Sequence, residues 1–465
     1  MSGFTDSLDS FFRISERGST LRNELRGGLI TFLAMAYILV VNPTILGAVP
    51  TAADYGFNAL FTATALASLI ACLLMGLYSR FPVALAPGMG VNAFFSYNIC
   101  LAMGFTFTQG LLVVLVSGFL FFLITITGFR MKVLDSIPKS MKLAISAGIG
   151  FFIALVGLFN GGIIQHANGS ALCLGSLSDS GIQLSFICII ITLIIWFRRS
   201  WSAVIVGMLA TWIIGIIMGV AGFTSTYNPA LIPTWAPDTF VSTPDFSLFF
   251  AVFTDFKMFD STLTIAFITA VISLFVVDMF DTAGTLIAVG GSAGLIDEDG
   301  NIVDGQRALE ADAIGTVAGS ICGTSTTTSF IESTTGINAG ARTGLMPVVV
   351  AIFFGIALIF SGFFGTFTSA CTVGALVLVG IMMIKNVKDI EWDDPVTCAM
   401  AFLTIFMMGL TGSITDGIAF GLFAWVGGKT LMGKYKEVST TLWVLTAVFI
   451  MYFFINYFVI PNGWL

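Results

Sequence analysis

Apolar residues run through this chain in stretches of about 20, the length that crosses a bilayer as a helix. Polar joints separate them, and neither strand-like alternation nor a one-sided helical stripe organises the pattern. The stretches fall near 28–47, 58–79, 86–102, 108–128, 141–160, 182–198 and 202–222. A polar-tolerant segment follows, 223–261, with Pro229, Pro233, Pro237 and Pro244, and it reads as an external loop with short surface helices. Further stretches lie near 262–287, 308–322, 328–341, 345–363, 369–386, 395–411 and 413–430. A last one, at 440–460, fits either a fifteenth span or a helix lying along the bundle or interface. Residues 1–27 are polar, and the run that follows them has the length of a span, not of a signal peptide.

Fourteen spans divide as seven plus seven, 28–222 and 262–430, with 431–465 as a C-terminal segment. An odd number per half inserts the second half upside down, the inverted-repeat plan of many secondary transporters. That plan predicts interrupted segments at matching positions in the two halves. The third segment of the first half carries Pro82–Phe95, PVALAPGMGVNAFF, where Pro87, Gly88 and Gly90 break a helix. The third of the second half lies in Cys322–Leu345, where six of the seven residues Thr324–Phe330 are Ser or Thr and glycines follow at 336, 340 and 344. Such backbone is tolerated at membrane depth only where it lines a cavity or is buried in protein.

Composition agrees. Of 465 residues, 57% are hydrophobic and 10% charged, against roughly 25% charged in soluble domains. The expected location is the cell membrane, a bacterial inner membrane, with many passes. Lys and Arg orient the chain, because short cytoplasmic loops carry the positive excess. With the N-terminus inside, all of them except Lys257 fall on the cytoplasmic side, including Arg13, Arg17, Arg22, Arg26, Arg130, Lys132, Arg199 and Lys385. No basic run points to nucleic acid. The seven cysteines include no CxxC pair and read as small buried hydrophobes. The only histidine, His166, falls in a loop. Neither a metal nor a cofactor is expected.

The candidate chemistry is carboxylate. Glu332 sits in the Ser/Thr/Gly segment, and an acid at membrane depth is costly enough to mark a functional site. The eighth span contains Asp278 and Asp281, spaced i, i+3 on one helical face. Asp281 is followed by Thr282, Gly284 and Thr285, which leave room for a ligand, and is the substrate or proton site. Asp278 supports it by bonding backbone or hydroxyl groups. A protonated carboxyl offers a donor and an acceptor, and the ionised form only accepts. Either suits the edge of a heterocyclic amide, whereas an anion is poorly served, since no span core holds Lys or Arg. Asn92, in the third segment, adds a donor and an acceptor, and Phe94 or Phe95 beside it offers a ring to stack. Thr328 and Ser333 flank Glu332 as supporting hydroxyls. Asp416 reads as a capping acid of the last span, and Glu310 with Asp312 as a cap or gate at the start of the ninth.

These residues lie in recognisable company. FRISERGSTLRNELRGGLITFLAMAYILVVNP, APGMGVNAFF, DMFDTAGTL and FIESTTGINAGARTGL, in that order, closely resemble the adenine/guanine/hypoxanthine permeases, the AzgA-like branch of the xanthine/uracil permease superfamily. The resemblance covers essentially the whole chain. It implies two inverted seven-helix repeats arranged as a core domain (spans 1–4 and 8–11) and a gate domain (5–7 and 12–14), with short extended stretches in the third and tenth segments. It implies proton-coupled uptake of purine bases, often as a dimer, with Asn92, Phe94, Asp281 and Glu332 at the substrate. Sodium coupling, a xanthine or uracil substrate, and an anion transporter on the same plan are the competing readings. A membrane enzyme is not expected, for want of a metal cluster, nucleophile elbow or phosphate loop.

Overall fold

The computed structural model describes residues 2–127, 137–167, 170–198, 202–236, 240–254, 261–295 and 305–454. Arg130, Lys132, Arg199 and Lys257, four of the charges that orient the chain, lie outside them. Among the described residues eight helices are long and apolar enough to cross a membrane.

Helices dominate because the apolar stretches have nowhere else to satisfy their backbone groups. Helix α1 (Ser2–Phe12) precedes the first span, which is split into α2 (Leu21–Met35) and α3 (Ile38–Leu46) at Ala36 and Tyr37. Then follow α4 (Gly56–Leu73), strand β1 (Leu85–Pro87), the short helix α5 (Met89–Ala93), α6 (Phe107–Ile126) and α7 (Lys139–Asn160). Helix α5 widens into a π-helical stretch, Phe94–Ala102. The joint around His166, expected as a loop, is a hairpin of β2 (Ile164–Ala167) and β3 (Ser170–Leu174), with His166 stacked on Phe159 at 5.0 Å. Helices α8 (Ser180–Phe197) and α9 (Ala203–Val220) complete the first half.

The second half begins with α10 (Ser261–Ala293), 33 residues long, about 50 Å at 1.5 Å per residue. It continues with α11 (Gly305–Cys322), β4 (Thr327–Ser329), α12 (Ser333–Asn338), α13 (Leu345–Ala357), α14 (Ser369–Ile384), α15 (Pro395–Thr411) and α16 (Ile414–Leu431). The last apolar stretch forms α17 (Thr440–Phe454), which lies against α16 with Phe453 on Phe420 and Phe423. Ser413 caps α16, accepting from the Asp416 backbone N–H at 3.2 Å. Asp416 is therefore a first-turn acid, and the capping role assigned to it from sequence belongs to Ser413.

The outer surface confirms the solvent. Ile190, Ile194 and Phe197 on α8, Ile213 and Ile217 on α9, and Phe402, Phe406 and Leu410 on α15 are exposed at helical spacing. Apolar faces of that extent are covered by lipid. Inside, the helices sort into two groups: α4 against α11 and α13, α2 against α12 and α13, and α6 against α11; then α7 against α14 and α15, and α8 against α9 and α14. Helix α10 touches both groups, meeting α6, α12 and β4 on one side and α7 on the other. All seven cysteines are free, and five are buried.

Candidate functional site

The two interrupted segments meet each other. Strand β1 pairs antiparallel with β4, with Leu85 opposite Ser329, Ala86 opposite Thr328 and Pro87 opposite Thr327. The ladder continues at both ends, Phe330 N–H to Ala84 at 3.0 Å and Gly88 N–H to Thr326 at 3.1 Å. A two-stranded sheet in the middle of a helical bundle satisfies the backbone that Pro87 and the Ser/Thr run withhold from helices. Serine and threonine hydroxyls satisfy further backbone groups. Ser333 accepts from the Ala84 N–H at 3.0 Å, and Thr316 donates to the Thr327 carbonyl at 3.1 Å. Helix α11 comes close because it presents Gly315 and Gly319, which lie against Thr327 and the Ser325 carbonyl.

Each strand leads directly into a short helix, β1 into α5 and β4 into α12. Between the starts of these helices and α7 and α14 lies a cavity of about 150 Å³, smaller than the roughly 300–1,000 Å³ of drug-sized ligand sites. One wall is polar. It is made of Gly88 and Gly90, Thr328 to Glu332, and Asp281 and Thr285 from α10. The facing wall is apolar apart from Ser146, with Ile149 and Ile153 of α7 and Val379, Met382 and Met383 of α14. Among the described residues no lysine, arginine or histidine lines it.

Asp281 reaches the cavity from the middle of α10, where Thr328 lines the same wall. Gly88 makes this approach possible: a methyl group there would strike the Thr328 hydroxyl and come within 3.3 Å of Asp281 Oδ2. Glu332 stands at the head of α12, almost fully buried. Its Oε1 accepts a hydrogen bond of 2.7 Å from Tyr37, whose ring is fully buried at the break between α2 and α3. Asp278 and Thr282, one helical turn and one residue away from Asp281, are buried in protein and do not line the cavity.

The other candidates sit behind the wall. Asn92 is fully buried, with its side-chain carbonyl taken by the Ser325 hydroxyl. Nearby, Asn42 donates to Thr64 and Thr324 at 2.8 and 2.9 Å. Asn42 and Asn92 thus clamp adjacent residues ahead of β4. Phe94 and Phe95 are fully buried as well, Phe95 edge-on to Phe107 at 5.6 Å, and the aromatic ring that lines the cavity is Phe330. Asp312, expected at a helix start, lies two turns inside α11, fully buried, and Ser329 points its hydroxyl at Asp312 Oδ1 at 3.4 Å. Glu310 accepts instead from Tyr78 and, at 3.0 Å, from Gln306. Neither acid caps α11, because the helix begins at Gly305. Tyr37, Met382 and Met383 carried no signal in the sequence beyond being apolar or aromatic in an apolar run. Among the described residues no His, Cys, Asp and Glu side chains gather as a metal site.

A second, larger cavity of about 700 Å³ abuts the first. Arg26 and Lys385 stand on its rim with Trp196 and Phe197, and Lys385 lies over the Trp196 ring at 4.9 Å. Glu332 and Met382 line both cavities and form the partition between them.

Comparison with known proteins places this arrangement. A permease-family model, that of the xanthine/uracil permeases, matches residues 22–420. The guanine/hypoxanthine permease PbuG of Bacillus subtilis is 39% identical over 454 residues, covering 96% of this chain and 99% of that one. The adenine permease AdeQ of Escherichia coli is 35% identical over 449 residues, 97% of this chain and 96% of its own. Among solved structures, the transmembrane domain of the cyanobacterial bicarbonate transporter BicA superposes with a TM-score of 0.61 at 14% identity, over 86% of this chain and 97% of that one. SLC26A9 superposes with a TM-score of 0.53 at 12% identity, over 92% and 70%. These likenesses are of fold.

Proposed function

The chain belongs to the xanthine/uracil permease family, and from that membership we propose that it takes up purine nucleobases by proton symport. Three relatives, 33–39% identical over nearly their whole length, are guanine/hypoxanthine and adenine permeases. The observation that carries the reading is the convergence of Asp281 and Glu332 on one small cavity whose described lining holds no cationic side chain. Purine edges alternate N–H donors with carbonyl or ring-nitrogen acceptors, and a carboxyl meets both kinds according to its protonation. Phe330 and the apolar wall of α7 and α14 suit the flat faces of the ring. A proton taken by one carboxyl completes the donor set for the substrate and travels with it. The two acids face one cavity, so they titrate as a coupled pair.

We further propose the seven-plus-seven inverted plan, with the N-terminus cytoplasmic and the strand-crossed group of helices moving as the core against the α7, α8, α9 and α14 to α16 gate. The matched strand-then-helix units, β1 with α5 and β4 with α12, support it.

Uptake of hypoxanthine, guanine and adenine into proteoliposomes, with an imposed proton gradient and the external pH varied, tests the mechanism. Asp281→Asn is expected to abolish transport. Glu332→Gln is expected to keep partial binding but lose pH-dependent accumulation. If both variants accumulate purine with the wild-type pH dependence, proton symport through these carboxyls is wrong. Replacing sodium by choline in the same assay separates the two coupling ions. The fold is shared with anion transporters, but an anion in this cavity would meet two acids and, among the described residues, no compensating cation. Bicarbonate is therefore expected not to compete with purine.

A further inference from the structure

Glu332 has one carboxylate oxygen committed to a group outside the cavity. Tyr37 does not line either cavity, yet its hydroxyl donates to Glu332 Oε1 at 2.7 Å. The tyrosine is held on all sides. Its ring has no exposed surface. Its carbonyl accepts from Val40 and Val41 at 3.0 and 2.9 Å, anchoring it to the first turn of α3. It occupies the break of the first span, where the chain turns from α2 into α3. A buried tyrosine hydroxyl needs a partner, and here that partner is the acid on the partition between the two cavities.

We infer that Tyr37 is a positioning residue for substrate recognition: it fixes the Glu332 carboxyl from behind, so that the second oxygen is presented to the cavity. This rests on the reading of Glu332 as a substrate and proton group. A free glutamate side chain loses considerable rotamer freedom on being ordered. A bond that orders it before the ligand arrives removes that cost from binding. Because the hydroxyl donates to Oε1, a proton carried by Glu332 sits on the other oxygen, with Asp281 lining the first cavity and Arg26 and Lys385 lining the second. Tyr37 thereby ties the geometry of the first span to the protonation of the tenth segment, 295 residues away in sequence.

The test is purine uptake against pH by the full-length protein in proteoliposomes. Tyr37→Phe is expected to raise KM about tenfold, the effect of one lost hydrogen bond in a buried site, and to shift the pH midpoint of uptake. Incorporation of 3-fluorotyrosine at position 37 keeps the ring and makes the hydroxyl a stronger donor, so the midpoint is expected to move in the opposite sense to that of Tyr37→Phe. In a Glu332→Gln background, Tyr37→Phe is expected to leave the pH profile unmoved. If Tyr37→Phe and the fluorinated side chain both leave KM and midpoint at wild-type values while Glu332→Gln changes them, Tyr37 only fills space and the inference is overturned. If Glu332→Gln changes neither quantity, the reading of the site itself falls and this inference with it. Should the phenylalanine variant fail to fold, the fluorinated protein alone decides, through the presence or absence of a midpoint shift.

Discussion

Residues that touch the cavity and residues that hold its walls carry different costs when cut back. Phe330 lines the cavity, whereas Phe94 is sealed behind it with no exposed surface. Phe330→Ala is expected to raise KM for purines about tenfold, the loss of one stacking face, with the melting temperature in detergent nearly unchanged. Phe94→Ala is expected to lower stability by about 3–5 kcal/mol, the cost of emptying a packed aromatic site, and to act on yield before it acts on affinity. A thermal melt beside an uptake assay separates the two, and the reverse pattern would exchange their roles. The same contrast explains what was readable in the chain. Asp281 and Glu332 stood out because a charge in an apolar run is conspicuous. Tyr37, Phe330 and Met382 did not, because 46 phenylalanines and 19 methionines serve mostly as packing and lipid contact. The facing of Asn92 and Phe94 depends on the turn at Gly88, which residue spacing cannot supply.

Elements in this fold are joined by polar residues used sparingly. Asp179 shows how much one side chain does. It precedes α8 and accepts from the N–H groups of Gly181 and Ile182, from Ser225 and Thr226 hydroxyls, and from the N–H groups of Thr226 and Tyr227. The loop after α9 is thereby tied to the start of α8. Burial works against the Asp179 charge, but hydrogen bonds from Tyr227, Ser225, Thr226 and Ile182 hold its carboxyl well below the usual carboxylate range. Its contribution to stability is complete above the unfolded value of about 3.9 and is lost as pH falls through the folded one. Asp179→Ala is expected to lower the melting temperature at pH 7, each donor left unpaired costing about 1–3 kcal/mol. Wild type is expected to lose this advantage over the variant only in strong acid. A variant that melts like wild type at pH 7 would show the loop to be held by other contacts. At this scale the broken segments were legible from Pro87, Gly88 and the Ser/Thr run, since those residues make poor helices. The hairpin at 164–174 was not, because a short polar joint says little about its pairing.

For the whole molecule, the distribution of Lys and Arg against the apolar stretches predicts sidedness. Ser178 and Asp393 are both exposed, in the joints before α8 and before α15. Cysteines introduced at these positions are expected to label from opposite faces of the membrane, Ser178 from outside and Asp393 from inside. Labelling of both from one face would reject the inverted plan. The helical architecture was legible because the lengths of apolar stretches are set by the bilayer. The sorting of helices into two groups was legible only through the family resemblance, since apolar length does not tell which small residues allow close approach. Gly27 of α2, for instance, lies against the Gly336 carbonyl of α12 at a distance that no larger side chain permits.

The short sheet also sets a timetable for synthesis. Strand β1 finds its partner in β4, about 240 residues later, which a ribosome delivers after roughly 10–50 s at 5–20 residues per second. Throughout that interval Ala84, Ala86 and Gly88 carry backbone groups whose mates do not yet exist. The nascent third segment must therefore wait in a watery or chaperoned setting, or enter the bilayer in another shape and be remade. A first half released early by a truncated message would keep that unmet edge permanently, giving membrane quality control a clear feature by which to recognise unfinished chains.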